Sequence, residues 1–210
     1  DIARVLKVAT SYPNCRIRLD ANGKFTPEQA LELLAQIPLE RLDYFEQPCA
    51  SIDDLVELKA TIKHLDLKVL IAADESIRKA SDPIEVARRN AADIVMLKVQ
   101  PLGGIERSFE IANQSGLRAV VSSALETSIG LSQGAFLAAA LPELEFDCGL
   151  GTLSLMESDI SSEPLRPVAG RITPREIEPD AALLAKYQAS SERTQWWLER
   201  LERCFNLLEA

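Results

Sequence analysis

Residues 68–99 read KVLIAADESIRKASDPIEVARRNAADIVMLKV, and the alternation inside this stretch decides the fold. Lys68–Glu75 (KVLIAADE) and Asp93–Val99 (DIVMLKV) are short, nearly continuous apolar runs, as expected of strands buried on both faces. Between them, Asp82–Asn90 (DPIEVARRN) has helical spacing and opens with Asp82 before Pro83. Strand, helix, strand in this order predicts a parallel pair joined by a crossover helix.

The same unit recurs outward in both directions. Arg16–Asp20, Leu42–Pro48, Arg118–Ser123 and Phe146–Gly151 read as further strands. Helices are expected over Asp1–Thr10, Thr26–Ile37, Ser51–Ile62, Gly104–Gly116 and Ile129–Leu141. Thr26 with Gln29 forms a capping box, Ser51 is an N-cap with Asp54 three residues on, and Gly116 closes its helix. Successive strand ends at Asp20, Glu46, Asp74, Lys98, Ser122 and Gly149 are separated by 26, 28, 24, 24 and 27 residues, about one βα unit each. The fold class is α/β. Six strands make an incomplete (β/α) barrel, two short of the usual eight. An open doubly wound sheet is the alternative, but no glycine-rich phosphate loop follows the first strand. The partial barrel is expected over residues 1–153. Residues 154–210 read as a C-terminal extension packed on the barrel or on a capping domain. This extension has turns at Pro164, Pro167, Pro174 and Pro179 and two helices, the second carrying Trp197, Leu201, Cys204 and Leu208 on one face.

Composition narrows the function. With 47% hydrophobic and 26% charged residues, the chain buries a real core and is not disordered. Its most apolar stretch, Ile129–Leu141, is interrupted by Ser132 and Gln133 and is too short to span a membrane. A net charge of -9 disfavours nucleic acid and tolerates a divalent cation. Cys15, Cys49, Cys148 and Cys204 are scattered without a CxxC pair, so neither a disulfide framework nor a zinc site is expected, and the setting reads as a reducing cytoplasm. His64, the single histidine, reads as a surface residue.

In a parallel barrel, functional side chains stand where strands pass into the following loops. Those positions hold Asp20 and Asn22 (DAN), Glu46 and Gln47 (EQP), Asp74 and Glu75 (DES), and Lys98 (LKV). Next come Ser122, Ser123 and Ala124 (SSA), and then Gly149 in DCGLG. Each has a plainer reading. Asp20 can cap the Asn22-Gly23 turn, Pro48 can simply end its strand, and Asp74 can cap the next loop. Cys49 and Cys148 read as small packing residues. Taken together, three carboxylates on successive strands repel one another unless a cation joins them. Oxygen ligands suit Mg2+, with Mn2+ as substitute. A lysine inside the apolar run IVMLKV needs a partner of opposite charge.

These motifs, in this order, resemble the enolase superfamily, and Lys98 resembles its muconate lactonizing enzyme subgroup. VLKVQPLGGIERS, VVSSALETSIGL, DCGLGT and the WWLERLERC tail are similar to the o-succinylbenzoate synthases in their actinobacterial form. The resemblance implies a lyase of menaquinone biosynthesis. Its reaction is the Mg2+-assisted dehydration of 2-succinyl-6-hydroxy-2,4-cyclohexadiene-1-carboxylate, a small carboxylate, to 2-succinylbenzoate. It implies Asp20, Glu46 and Asp74 as metal ligands and Lys98 as a charge stabiliser over the enediolate. Asn22, Ser122, Ser123 and Ala124 would shape the pocket, with Gly149 near the succinyl tail. The sequence departs from the pattern in having no Lys-x-Lys strand, whose second lysine is the acid/base of that reaction, and no capping domain. The chain therefore reads as the later part of a longer enzyme. It would need an N-terminal segment of the same protein to turn over, and its open barrel edges would invite pairing with another chain, a second copy included. An N-acylamino acid racemase or a dipeptide epimerase of the same subgroup is an alternative. Asp147-Cys148-Gly149, where epimerases carry Asp-x-Asp, counts against the latter. A non-catalytic fragment is a third reading.

Overall fold

The computed structural model describes residues 1–208. The final two residues of the expected 154–210 extension lie outside that range. In chain order the elements begin with α1 (Ile2–Ser11), β1 (Ile17–Asp20), α2 (Pro27–Leu34), β2 (Leu42–Glu46) and α3 (Ile52–His64). There follow β3 (Ile71–Ala73), α4 (Glu75–Arg78), α5 (Glu85–Arg88), β4 (Ile94–Leu97) and α6 (Val99–Leu102). Next come α7 (Ile105–Ser115), β5 (Arg118–Val121) and α8 (Ser128–Ala140), then α9 (Ala181–Lys186) and α10 (Ser191–Asn206) in the tail. The Thr26–Gln29 capping box forms, Ser51 accepts from the Asp54 amide, and Gly116 closes α7 at φ 62.

All five strands are parallel, in the order β1-β2-β3-β4-β5, as an incomplete (β/α) barrel requires. The sixth expected strand, Phe146–Gly151, is reduced to one rung. Ser122 pairs with Gly149, whose amide donates to the Val121 carbonyl at 2.8 Å. Other boundaries shrink for local reasons. Asp82 forms a turn by accepting from the Ile84 amide at 3.0 Å, which delays α5. Asp74 and Lys98 leave their strands to start the short helices α4 and α6.

The period-two geometry of the strands aims the site. A small inner cluster contains Tyr44, Ala72, Ile94, Met96 and Val120, with Leu70 and Phe146 packed against it. Two residues beyond Tyr44, Ala72, Met96 and Val120, on the same face of each strand, stand Glu46, Asp74, Lys98 and Ser122. The inner core thus sits directly below the polar strand ends. The alternate residues Phe45, Val95, Leu97 and Val121 join the larger outer core against the helices.

The tail is only partly integrated. Leu165 and Ile177 are buried in the outer core. Asp159 accepts from the Ser128 amide at 3.0 Å, and the Ser128 hydroxyl accepts from the Leu165 amide at 2.7 Å, so the tail is tied to the start of α8. No residue of α10 is buried, and Trp197 and Leu201 are exposed. Among the described residues, no helix is long and apolar enough to cross a membrane.

Arg18 links the two ends of the sheet. From β1 it donates to the Asp147 carbonyl at 2.7 Å and to Asp43 at 3.1 Å, and its guanidinium lies 5.0 Å from the centre of the Tyr44 ring. Arg18→Met keeps the stem but loses these bonds. It is expected to cost about 1–3 kcal/mol of stability, read as a lower urea midpoint with an unchanged m-value.

Candidate active site

The register places the first two carboxylates side by side and the third one step further along. Asp20 pairs directly with Glu46, and Glu46 with Ala72, two residues before Asp74. Asp20 is exposed, and its Oδ1 accepts from the Asn22 amide at 2.9 Å, so the turn-capping role foreseen for it is real and leaves the second oxygen free. Asn22 is exposed at φ 49. Glu46 is 9% exposed and Asp74 3%. Lys98 Nζ donates to Asp74 Oδ2 at 2.6 Å, which supplies the partner a lysine in an apolar run requires. Arg78 Nε donates to both Asp74 oxygens at 3.1 and 3.2 Å, and its Nη2 donates to Glu75 Oε1 at 2.6 Å. The Glu75 side chain is largely covered, 17% exposed. Its Oε2 is buried without a partner.

The charge balance at this end is negative. Burial pushes the Glu46 carboxyl up to about 7, and Asp20, Asp74 and Glu75 add to the shift while Lys98 opposes it. Two cations therefore leave the carboxylate cluster only partly compensated, and its hard oxygen donors fit a divalent ion such as Mg2+. The side chains are not drawn onto a single point. Among the described residues, no group of three or more His, Cys, Asp and Glu stands close enough to hold a metal ion, and Asp74 is engaged by Lys98 and Arg78.

The far side of the site is packed tightly. Ser123 is buried, and its hydroxyl donates to the Gly149 carbonyl at 3.0 Å and meets Thr152 Oγ1 at 2.8 Å. Thr152 donates in turn to the Ala124 carbonyl at 2.9 Å. A methyl at Gly149 would stand 2.8 Å from Ser122 Oγ, so a larger residue here would force the Ser122 hydroxyl to move. Cys49 is buried, Cys148 half-buried and His64 exposed.

Sequence reasoning missed Glu126. It is 8% exposed, with Oε1 unpartnered; burial raises its carboxyl pKa and the Lys98 charge lowers it. Its side chain lies across Gly130 of α8, where a methyl would come within 2.9 Å of the Glu126 Cβ. An acid in the otherwise apolar and small VVSSALETSIG stretch was the available signal.

A family model described as "Enolase C-terminal domain-like" matches residues 1–179. The o-succinylbenzoate synthase of Mycolicibacterium smegmatis is 46% identical over 209 residues, which is 99% of this chain and 63% of that protein. The o-succinylbenzoate synthase of Mycobacterium tuberculosis is 44% identical over 209 residues, 99% of this chain and 62% of its own. The chain thus spans about three-fifths of the length of these curated relatives. The crystal structure of muconate lactonizing enzyme from Pseudomonas fluorescens complexed with muconolactone is similar with a TM-score of 0.78 and 26% identity, over 89% of this chain and 52% of that one.

The raised Glu46 pKa carries a stability consequence. The folded protein favours the neutral carboxyl, so this contribution is full below the ordinary value of 4.5 and is lost as pH rises through about 7. Without divalent cation, Glu46→Gln is expected to be more stable than the unaltered chain by about 2 kcal/mol at pH 8, with the difference vanishing near pH 4. Urea denaturation at the two pH values checks it.

Proposed function

Because the chain belongs to the enolase C-terminal domain-like family, we propose that it is the barrel portion of a cytoplasmic o-succinylbenzoate synthase. In this reading residues 1–153 carry the site and 154–210 are an extension. The observation that carries the reading is the register that sets Asp20 beside the buried Glu46 on the strand next to the one leading into Asp74, with Lys98 Nζ 2.6 Å from Asp74. The resemblance of the whole chain to synthases supports the choice of substrate.

Asp20, Glu46 and Asp74 would hold Mg2+. When bound, that ion offsets negative charge on the substrate carboxylate as the adjacent carbon loses its proton. Lys98 is poised for the same task from its own strand. Its ammonium is largely shielded from water, its side chain being 15% exposed, so its charge acts at low dielectric. To approach a substrate it exchanges part of its contact with Asp74. Ser122, Asn22 and the backbone at Ala124 and Gly149 would shape the pocket for the substrate in this reading. Ser123 supports that backbone by donating its hydroxyl to the Gly149 carbonyl.

The α-proton goes to a base, hydroxide leaves the ring carbon beside it, and the two exit as water, leaving the aromatic ring of 2-succinylbenzoate. No Lys-x-Lys occurs in these 210 residues, so the proton-abstracting lysine is supplied by a further segment of the same protein.

The 210-residue chain alone is expected to show no turnover of 2-succinyl-6-hydroxy-2,4-cyclohexadiene-1-carboxylate. Joined to a relative's N-terminal segment, it is expected to form 2-succinylbenzoate in Mg2+ and to stop in EDTA. In that joined protein, Lys98→Ala should lower kcat by about 10²–10³-fold. A joined protein that folds and binds Mg2+ but racemises N-acylamino acids without any dehydration would overturn this assignment.

A further inference from the structure

We propose that Gln47 is a positioning residue that fixes the spacing of the Glu46 and Asp74 carboxylates and thereby sets the affinity of the chain for Mg2+. The inference rests on the metal-binding reading above. Gln47 touches neither substrate nor metal in this account. It acts through its neighbours.

Its side chain is completely buried and all its hydrogen-bonding capacity there is used. Oε1 accepts from the Asp74 amide at 2.9 Å and from the Ser76 amide at 3.2 Å. Nε2 donates to the Cys49 carbonyl at 2.9 Å and to Ser76 Oγ at 2.7 Å. The partners fix which end is which, because two N–H donors face one atom and a carbonyl faces the other. The backbone of the same residue reaches both flanking strands. Its amide donates to the Ala72 carbonyl at 2.8 Å, and its carbonyl accepts from the Gly23 amide, in the turn after Asp20, at 2.7 Å. One residue therefore holds the loop after Asp20, is bonded covalently to Glu46, and grips the amide of Asp74 itself.

The residue type is specific to the task. A leucine would leave the Asp74 and Ser76 amides and the Cys49 carbonyl unpaired in a dry site. A glutamate would aim an acceptor at the Cys49 carbonyl and add a charge to an already crowded cluster. Gln47 also sits at φ 34, a left-handed conformation that a non-glycine residue adopts at a cost. Such strain persists where surrounding bonds over-determine it, and here they converge on the ends of the metal-ligand strands.

The test is calorimetric titration of the 210-residue chain with Mg2+, with stability measured in parallel. Gln47→Leu is expected to raise the Mg2+ Kd at least about tenfold. Ser76→Ala, which removes one leg of the clamp and leaves Oε1 on Asp74, should raise it about two- to threefold. Ile111→Val, on the buried face of α7, should lower stability yet leave the Kd within about twofold. A folded Gln47→Leu that binds Mg2+ as tightly as the unaltered chain overturns the inference, as does an Ile111→Val variant that weakens binding equally. If Gln47→Leu does not fold, Ser76→Ala decides, and an unchanged Kd there overturns the inference. Absence of saturable Mg2+ binding by the unaltered chain removes the proposed function together with this inference, whereas the other adverse outcomes remove the inference alone.

Discussion

Glu46 is confined, 9% exposed, between strands that end in Asp20 and Asp74, and the repulsion among these carboxylates governs how the rest of this end is built. A parallel sheet gives neighbouring strand ends no freedom to separate, since the ladder that fixes Asp20 against Glu46 also fixes Glu46 against Ala72. The cost is met in two ways. Lys98 and Arg78 neutralise Asp74, while Glu46 holds its proton into the neutral range. The arrangement is thus set against full ionisation without an added cation. A divalent ion is the simplest charge that would change this balance without altering the sheet.

Much of this end was legible in the sequence because two periods coincide. The βα repeat located Asp20, Glu46, Asp74 and Lys98 as strand ends, and the strand period of two placed them above Tyr44, Ala72 and Met96 on one face. Neither period carries information about hydrogen-bond partners. Gln47 reads as the middle of EQP, and nothing in those letters says that its side-chain amide closes on Asp74 and Ser76, 27 and 29 residues further along the chain. Glu126 was hidden for a related reason. Its importance lies in the absence of a partner for Oε1, which only the packing of α8 across Gly130 reveals. Phe146–Gly151 was read as a whole strand because its composition suits one, but a ladder needs partners, and here the rung at Gly149 is all that forms.

The inner cluster explains why Arg18 matters beyond its own bonds. Tyr44 and Phe146 meet edge to face at 5.6 Å, and Arg18 lies over Tyr44 while holding the Asp147 carbonyl. The first strand and the last rung are therefore coupled through an aromatic pair below the site rather than through the ladder itself. Gly149 and Ser122 sit just beyond that contact, so it also supports the rung between them.

The tail divides at the point where this coupling stops. Up to Asp180, whose amide donates to the Ile160 carbonyl at 2.8 Å, the extension is held by Leu165, Ile177 and the Asp159–Ser128 contacts. Beyond it, α10 relies on local devices. Ser190 caps it, Trp196 and Trp197 pack edge to face at 4.7 Å, and Arg193 and Arg200 lie over the Trp196 ring. Such contacts are worth little each, and a helix of 16 residues without a buried face is marginal in water. The matched family domain also ends just before this point, at residue 179. The physical division and the family division therefore agree. Leu165 and Ile177 join the barrel's core, whereas α10, with its exposed Trp197, Leu201 and Phe205, adds apolar surface that this core does not bury.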